Sequence, residues 1–108
     1  MQFNKMIKEL KEINFEEIRK EEGNYFEGVV LNSGLPRLII ALEKFFGLPA
    51  YPSEKELSPE AEAIVDNFGG VRSNQTLYFV NEDGKITFAM LWPWSDEEHI
   101  TIKISKSQ

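Results

Sequence analysis

The chain contains no cysteine at all among its 108 residues. A disulfide framework and a thiolate metal site are therefore both excluded, and a reducing, cytoplasmic setting is the expectation. Histidine is nearly as scarce: His99 stands alone. With one imidazole and no thiol, neither a zinc helix motif nor paired ligands at helical spacing can be assembled. No Gly-x-x-x-x-Gly-Lys, Gly-x-Gly-x-x-Gly or Gly-x-Ser-x-Gly occurs, so the usual phosphate loop, dinucleotide turn and nucleophile elbow are missing too. The longest apolar stretch, around Leu38 to Phe46, is interrupted by Glu43 and Lys44. It falls well short of the ~20 residues that cross a bilayer, and nothing near the N-terminus resembles a signal peptide. A basic stripe is also lacking. Eighteen acids against twelve lysines and arginines leave a net charge of −6, which disfavours direct nucleic-acid binding and suits a basic protein partner.

What is present describes one small α+β domain spanning 1–108. Phe3, Met6, Ile7, Leu10 and Ile13 recur at three- and four-residue steps between lysines and glutamates, which predicts an amphipathic helix. Ile18 stays near that stripe and Phe15 falls off its edge. Asn14 with Glu17 reads as a capping pair restarting a short second stretch of helix, so helix is expected to run to Gly23-Asn24. Tyr25 to Leu31 is aromatic and β-branched and predicts a strand, in which Gly28 points to a bulge or a close backbone approach. Asn32-Ser33-Gly34 offers a cap, Pro36 a first turn, and Leu35 to Phe46 the greasiest helix, ended by Gly47 and Pro49.

A loop with Pro49, Pro52 and the run Glu54-Lys55-Glu56 follows. Ser58-Pro59-Glu60 then starts a third helix, with Ala61, Ile64, Val65 and Phe68 on its buried face and Gly69-Gly70 at its end. Residues 53–70 hold five acids against one lysine, so the acidity is concentrated there. Beyond Thr76 the period changes to alternation. Thr76–Val80, Ile86–Trp92 and Ile100–Ile104 predict a three-stranded meander, with Asn81-Glu82-Asp83-Gly84 as a hairpin turn and Thr101 and Lys103 on a wet face. The expected architecture is three helices on one face of a mostly antiparallel sheet of about four strands, in the order α-β-α-α-β-β-β.

The local feature with most chemical content is Trp92-Pro93-Trp94-Ser95-Asp96-Glu97-Glu98-His99, which collects both tryptophans and the histidine within eight residues. Trp94, Trp92, Asp96, Glu97 and His99 are the candidate partner-binding residues, because tryptophan beside acids suits a partner carrying lysine or arginine. The plainer readings are weighed alongside. Trp92 continues the face of Ile86, Phe88 and Met90 and reads as core, Pro93 ends a strand, and consecutive acids in a short loop rarely converge on a metal. Ser33, Ser73 or Ser95 with His99 has no elbow context. Asn32-Ser33-Gly34 with Arg72 as an anion site yields to capping and turn readings. The first helix could pair with a second copy, or simply cover the sheet. Thirteen aromatics exceed what a small core needs and favour association. These features favour a small acidic interaction module, an adaptor, regulatory subunit or inhibitor, with no cofactor and no membrane. The alternative is a binder of a small apolar ligand between sheet and second helix, lined by Tyr25, Phe26, Trp92 and Trp94; a minor hydrolase comes last.

Overall fold

The structure, a computed structural model, describes residues 3–51, 58–66 and 75–106. Its elements are α1 (Phe3–Leu10), β1 (Phe15–Glu22), β2 (Tyr25–Leu31), a 3-10 turn (Asn32–Gly34), α2 (Leu35–Phe46), α3 (Pro59–Asp66), β3 (Thr76–Glu82), β4 (Lys85–Pro93) and β5 (His99–Lys106). The fold is α+β. The strands form one antiparallel five-stranded sheet in the order β1-β2-β5-β4-β3. β2 is thus interior, paired with both β1 and β5. The β3-β4-β5 meander returns from the far edge to insert its last strand beside β2.

Two expectations need correction. The segment 15–22 is a strand, not a helical continuation, so the sheet has five strands and the order is α-β-β-α-α-β-β-β. Its pairing explains why it reads as helix. Phe15, Ile18 and Glu21 pair with Val30, Gly28 and Phe26, because two register shifts, between Phe15 and Glu17 and between Ile18 and Lys20, each insert an extra residue. Bulging converts a period of two into a period of three, and three-residue spacing is what a helix stripe also shows. Gly23-Asn24 is the hairpin turn rather than a helix stop.

The second correction concerns layering. Phe26, Val30, Tyr78, Ala89, Leu91, Ile100, Ile102 and Ile104 share one core with Phe3, Met6, Ile7 and Leu10 of α1 and Leu38 and Leu42 of α2. Residues alternating with these, Leu77, Phe88 and Met90, pack with Ala61 of α3 instead. α1 and α2 cover one face and α3 the other, so the helices are not all on one side. A sheet buried on both sides needs β4 to be apolar nearly throughout, and Thr87 to Leu91 are all buried.

Local chemistry accounts for the joints. α2 buries Leu38 and Leu42 completely, each contributing roughly 1.5–3 kcal/mol over exposure. It stops where Gly47, at φ 79°, donates its N–H to the Glu43 carbonyl. Ser58 Oγ accepts from Ala61 N at 3.2 Å and opens α3. Asp83 (φ 54°) and Gly84 (φ 85°) form the two-residue turn of the β3-β4 hairpin. At Gly28 an added Cβ would lie 2.6 Å from the Phe15 ring, so the bareness of glycine is what lets Phe15 fold over β2. That ring meets Phe26 edge-on, with centroids 5.4 Å apart. The expected burial of Ile64, Val65 and Phe68, the Gly69-Gly70 stop, Arg72, Ser73 and the acidic run at 54–56 lie outside the described side chains. No helix among the described residues is long and apolar enough to cross a membrane.

Candidate functional site

The connection from β4 to β5 is a short loop held by hydrogen bonds of its own backbone and of the Asp96 carboxylate. Trp94 N donates to the His99 carbonyl at 2.8 Å, closing the loop, and Glu97 N donates to the Trp94 carbonyl at 3.2 Å. Asp96 folds back on the chain: its Oδ1 accepts from Glu98 N at 2.9 Å and His99 N at 3.1 Å. Its Oδ2 lies 2.5 Å from His99 Nδ1, and since an ionised carboxylate only accepts, that nitrogen donates. The Glu98 N–H bond, with those from the His99 side chain and backbone, holds the Asp96 carboxyl below its usual range. Asx turns of this kind are why aspartate suits such positions.

A second set of bonds anchors the loop to the sheet. Asn32 N donates to the Glu98 carbonyl at 2.8 Å and Asn32 Nδ2 to the Glu97 carbonyl at 2.9 Å. The Asn32-Ser33-Gly34 segment therefore does not cap α2, whose N-cap Gly34 has no side-chain bond. Its asparagine clamps the loop 65 residues further on. With the backbone consumed this way, the Glu97 and Glu98 side chains point into solvent, and Glu97 sits at φ 60°, where glycine or asparagine would be less strained.

Trp94 stands at the base of this loop. Its Nε1 donates to Thr101 Oγ1 at 2.8 Å and its ring stacks on His99 with centroids 4.7 Å apart. The Arg19 guanidinium lies 5.6 Å from its centroid on the β1 side. The residue nevertheless keeps 36% of its surface exposed. Arg19 is itself held by Glu17 at 3.1 Å and Glu27 at 3.8 Å. Tyr25 donates its hydroxyl to Glu27 Oε1 at 2.7 Å, and burial followed by that bond to a carboxylate raises the phenol well above its ordinary range. On this face the β1-β2-β5 half carries polar side chains and Trp94, while the β4-β3 half carries the core beneath α3.

The candidate residues divide accordingly. Trp94, Asp96 and His99 form one contact network with Glu97 beside it. Trp92 is separate: it is half-buried against the Leu77, Phe88 and Met90 core, with Lys103 Nζ 4.6 Å from its ring centroid. Arg19 and Asn32 belong to the site; Arg19 does not stand out in the sequence, and Asn32 reads there as a helix cap or turn beside an anion site, not as part of this loop. Only a strand over 15–22 places Arg19 beside Trp94, and no local pattern signals a clamp from Asn32. Asp96, Glu98 and His99 do bring donor atoms within 4.8 Å of one another. Both Asp96 oxygens and His99 Nδ1 are already spent on the loop, which argues against an ion there. Tyr25, Phe26, Trp92 and Trp94 do not converge on one pocket, since Phe26 is sealed in the α1-α2 core and the others lie on the opposite face.

Set against known proteins, the chain matches no protein-family model, no curated protein and no solved structure.

Proposed function

We propose that the protein is a small interaction module whose Trp94–Glu98 loop docks on a basic surface of a protein partner. The supporting observation is that the backbone of Trp94, Glu97 and Glu98 and the Asp96 carboxylate are engaged in holding the loop's shape, while the carboxylates of Glu97 and Glu98 and a third of Trp94 are left to solvent. A loop already rigid loses little conformational freedom on binding, so its contacts convert to affinity with less entropic loss. Tryptophan supplies apolar area and a ring face for lysine or arginine, and flanking acids supply steering toward a positive patch. Glu97 in a left-handed conformation fits the same reading, since strained backbone is often found where a side chain is presented for binding.

Charge reversal tests this without touching the loop's bonds. Glu97→Lys with Glu98→Lys should leave the circular-dichroism spectrum unchanged. Captured by affinity from its host's extract, the wild-type chain should retain a basic partner that moderate salt releases and that the double variant loses. An identical set of captured proteins for both chains would reject the assignment.

A further inference from the structure

A distinct surface lies on the other side of the sheet. The apolar stripe of α1 is consumed internally, with Phe3, Met6, Ile7 and Leu10 all in the core, so that helix does not offer it to a second copy. α2 is different. Ile40, in the middle of its outer side, is 71% exposed. It lines a groove of about 570 Å³ with Ile13 and Ala41, between one wall bearing Glu9 and Glu12 from α1 and its following turn and another bearing Arg37 and Lys44 from α2. Lys44 reaches across to Glu9 at 3.2 Å and ties the two helices together. Glu12 and Arg37 have no ionic partner among the described residues.

The groove is locally neutral on a chain of net charge −6, and its two walls carry opposite signs. A uniformly basic partner would meet Arg37 and Lys44, and a uniformly acidic one would meet Glu9 and Glu12. The surface that complements it is its own mirror in charge. We infer that this groove is a homodimer interface, occupied by the same groove of a second copy across a twofold axis near Ile40. A twofold interface is self-complementary, so each contact occurs twice. Rotation sets Arg37 of one protomer against the partner's Glu12 and Glu12 against the partner's Arg37, while the two Ile40 side chains leave water together. Among isolated surface charges such pairing adds little, so the buried isoleucines supply most of the attraction and the charges fix the register. The Trp94 loop packs on Thr101 and Arg19, on the sheet face away from α1 and α2, and stays free in the dimer.

Sedimentation equilibrium of the full chain over a concentration series reads the proposal directly. The wild type should show a concentration-dependent monomer–dimer equilibrium. Ile40→Asp and Arg37→Glu, both at exposed positions, should keep the native circular-dichroism spectrum and weaken dimerisation by about tenfold or more, which corresponds to ~1.4 kcal/mol. Combining Arg37→Glu with Glu12→Arg should restore much of the loss, since the pair is rebuilt with its signs exchanged. A wild type that stays monomeric throughout, a dimer indifferent to Ile40→Asp, or a double variant no better than Arg37→Glu would each overturn the interface. None of these readouts depends on the loop, so they separate this inference from the docking role.

Discussion

The contact between Phe15 and Gly28 makes a quantitative demand on the sheet. Replacing Gly28 with alanine places a methyl group 2.6–2.7 Å from two atoms of the Phe15 ring and 3.2 Å from the Glu17 carbonyl oxygen. Atoms that close cannot both remain. The ring is pinned edge-on against fully buried Phe26, and the carbonyl belongs to the bulged stretch of β1, so neither yields freely. Overpacking of this kind costs typically 1–3 kcal/mol, and the strand propensity gained on removing glycine returns about 0.5–1 kcal/mol of it. A net loss of about 1–2 kcal/mol is expected, which at roughly 4–8 °C per kcal/mol lowers Tm by about 5–15 °C. Phe15→Ala removes the obstacle and loses its own contacts. In that background Gly28→Ala should be neutral or stabilising, so the double-mutant cycle should show a coupling of at least ~1 kcal/mol. Chemical denaturation of the four proteins measures it. Equal effects of Gly28→Ala with and without the Phe15 ring would refute the steric account.

Three further outcomes test the loop. Thr101→Val removes the acceptor of the Trp94 indole N–H and should cost about 0.5–1 kcal/mol, the low end for a lost hydrogen bond because water reaches part of the ring; an unmoved indole N–H resonance would count against the bond. Asp96 has its folded carboxyl pKa lowered, so its contribution to loop order is present above the ordinary carboxylate range and is lost as pH falls through the lowered value. Amide resonances of Glu98 and His99 should shift together in that acid window and should not do so in Asp96→Asn. Glu97→Gly relieves a left-handed residue worth ~1–2 kcal/mol and adds ~0.5–1 kcal/mol of chain entropy, so stability should hold or rise slightly while partner capture falls. A marked drop in stability would show that the Glu97 side chain holds the loop.

The residues also explain which parts of the fold can be read in advance. α2 is legible because Leu38 and Leu42 are buried from a helix whose ends are marked by Pro36 and Gly47. The meander is legible because Ile100, Ile102 and Ile104 alternate without interruption. β1 is not, since its two bulges hide the strand period and its outward side chains are all charged apart from Ile18. The division of helices between two faces is equally hidden: Leu77, Phe88 and Met90 are apolar like their neighbours, and periodicity does not say which helix covers which side. At the site, Trp94 and the acids stand out by composition. Arg19 and Asn32 arrive from distant segments, and only the sheet order brings them there.

The three-residue spacing of β1 has a kinetic consequence. Residues 3–22 carry two codes at once, a helical stripe through Phe3, Met6, Ile7, Leu10 and Ile13 that Ile18 stays near, and a bulged edge strand. Helical turns close within about a microsecond, whereas the partner of β2 on its other side, β5, comes from the end of the chain. A helix extending past Leu10 is therefore the locally available structure before the hairpin closes, and Phe15 docking over Gly28 decides against it. A peptide of residues 3–22 should accordingly turn helical in trifluoroethanol, while the same residues in the intact protein, once Gly28 has received the ring, are held as an edge whose bulges and charges resist adding another strand.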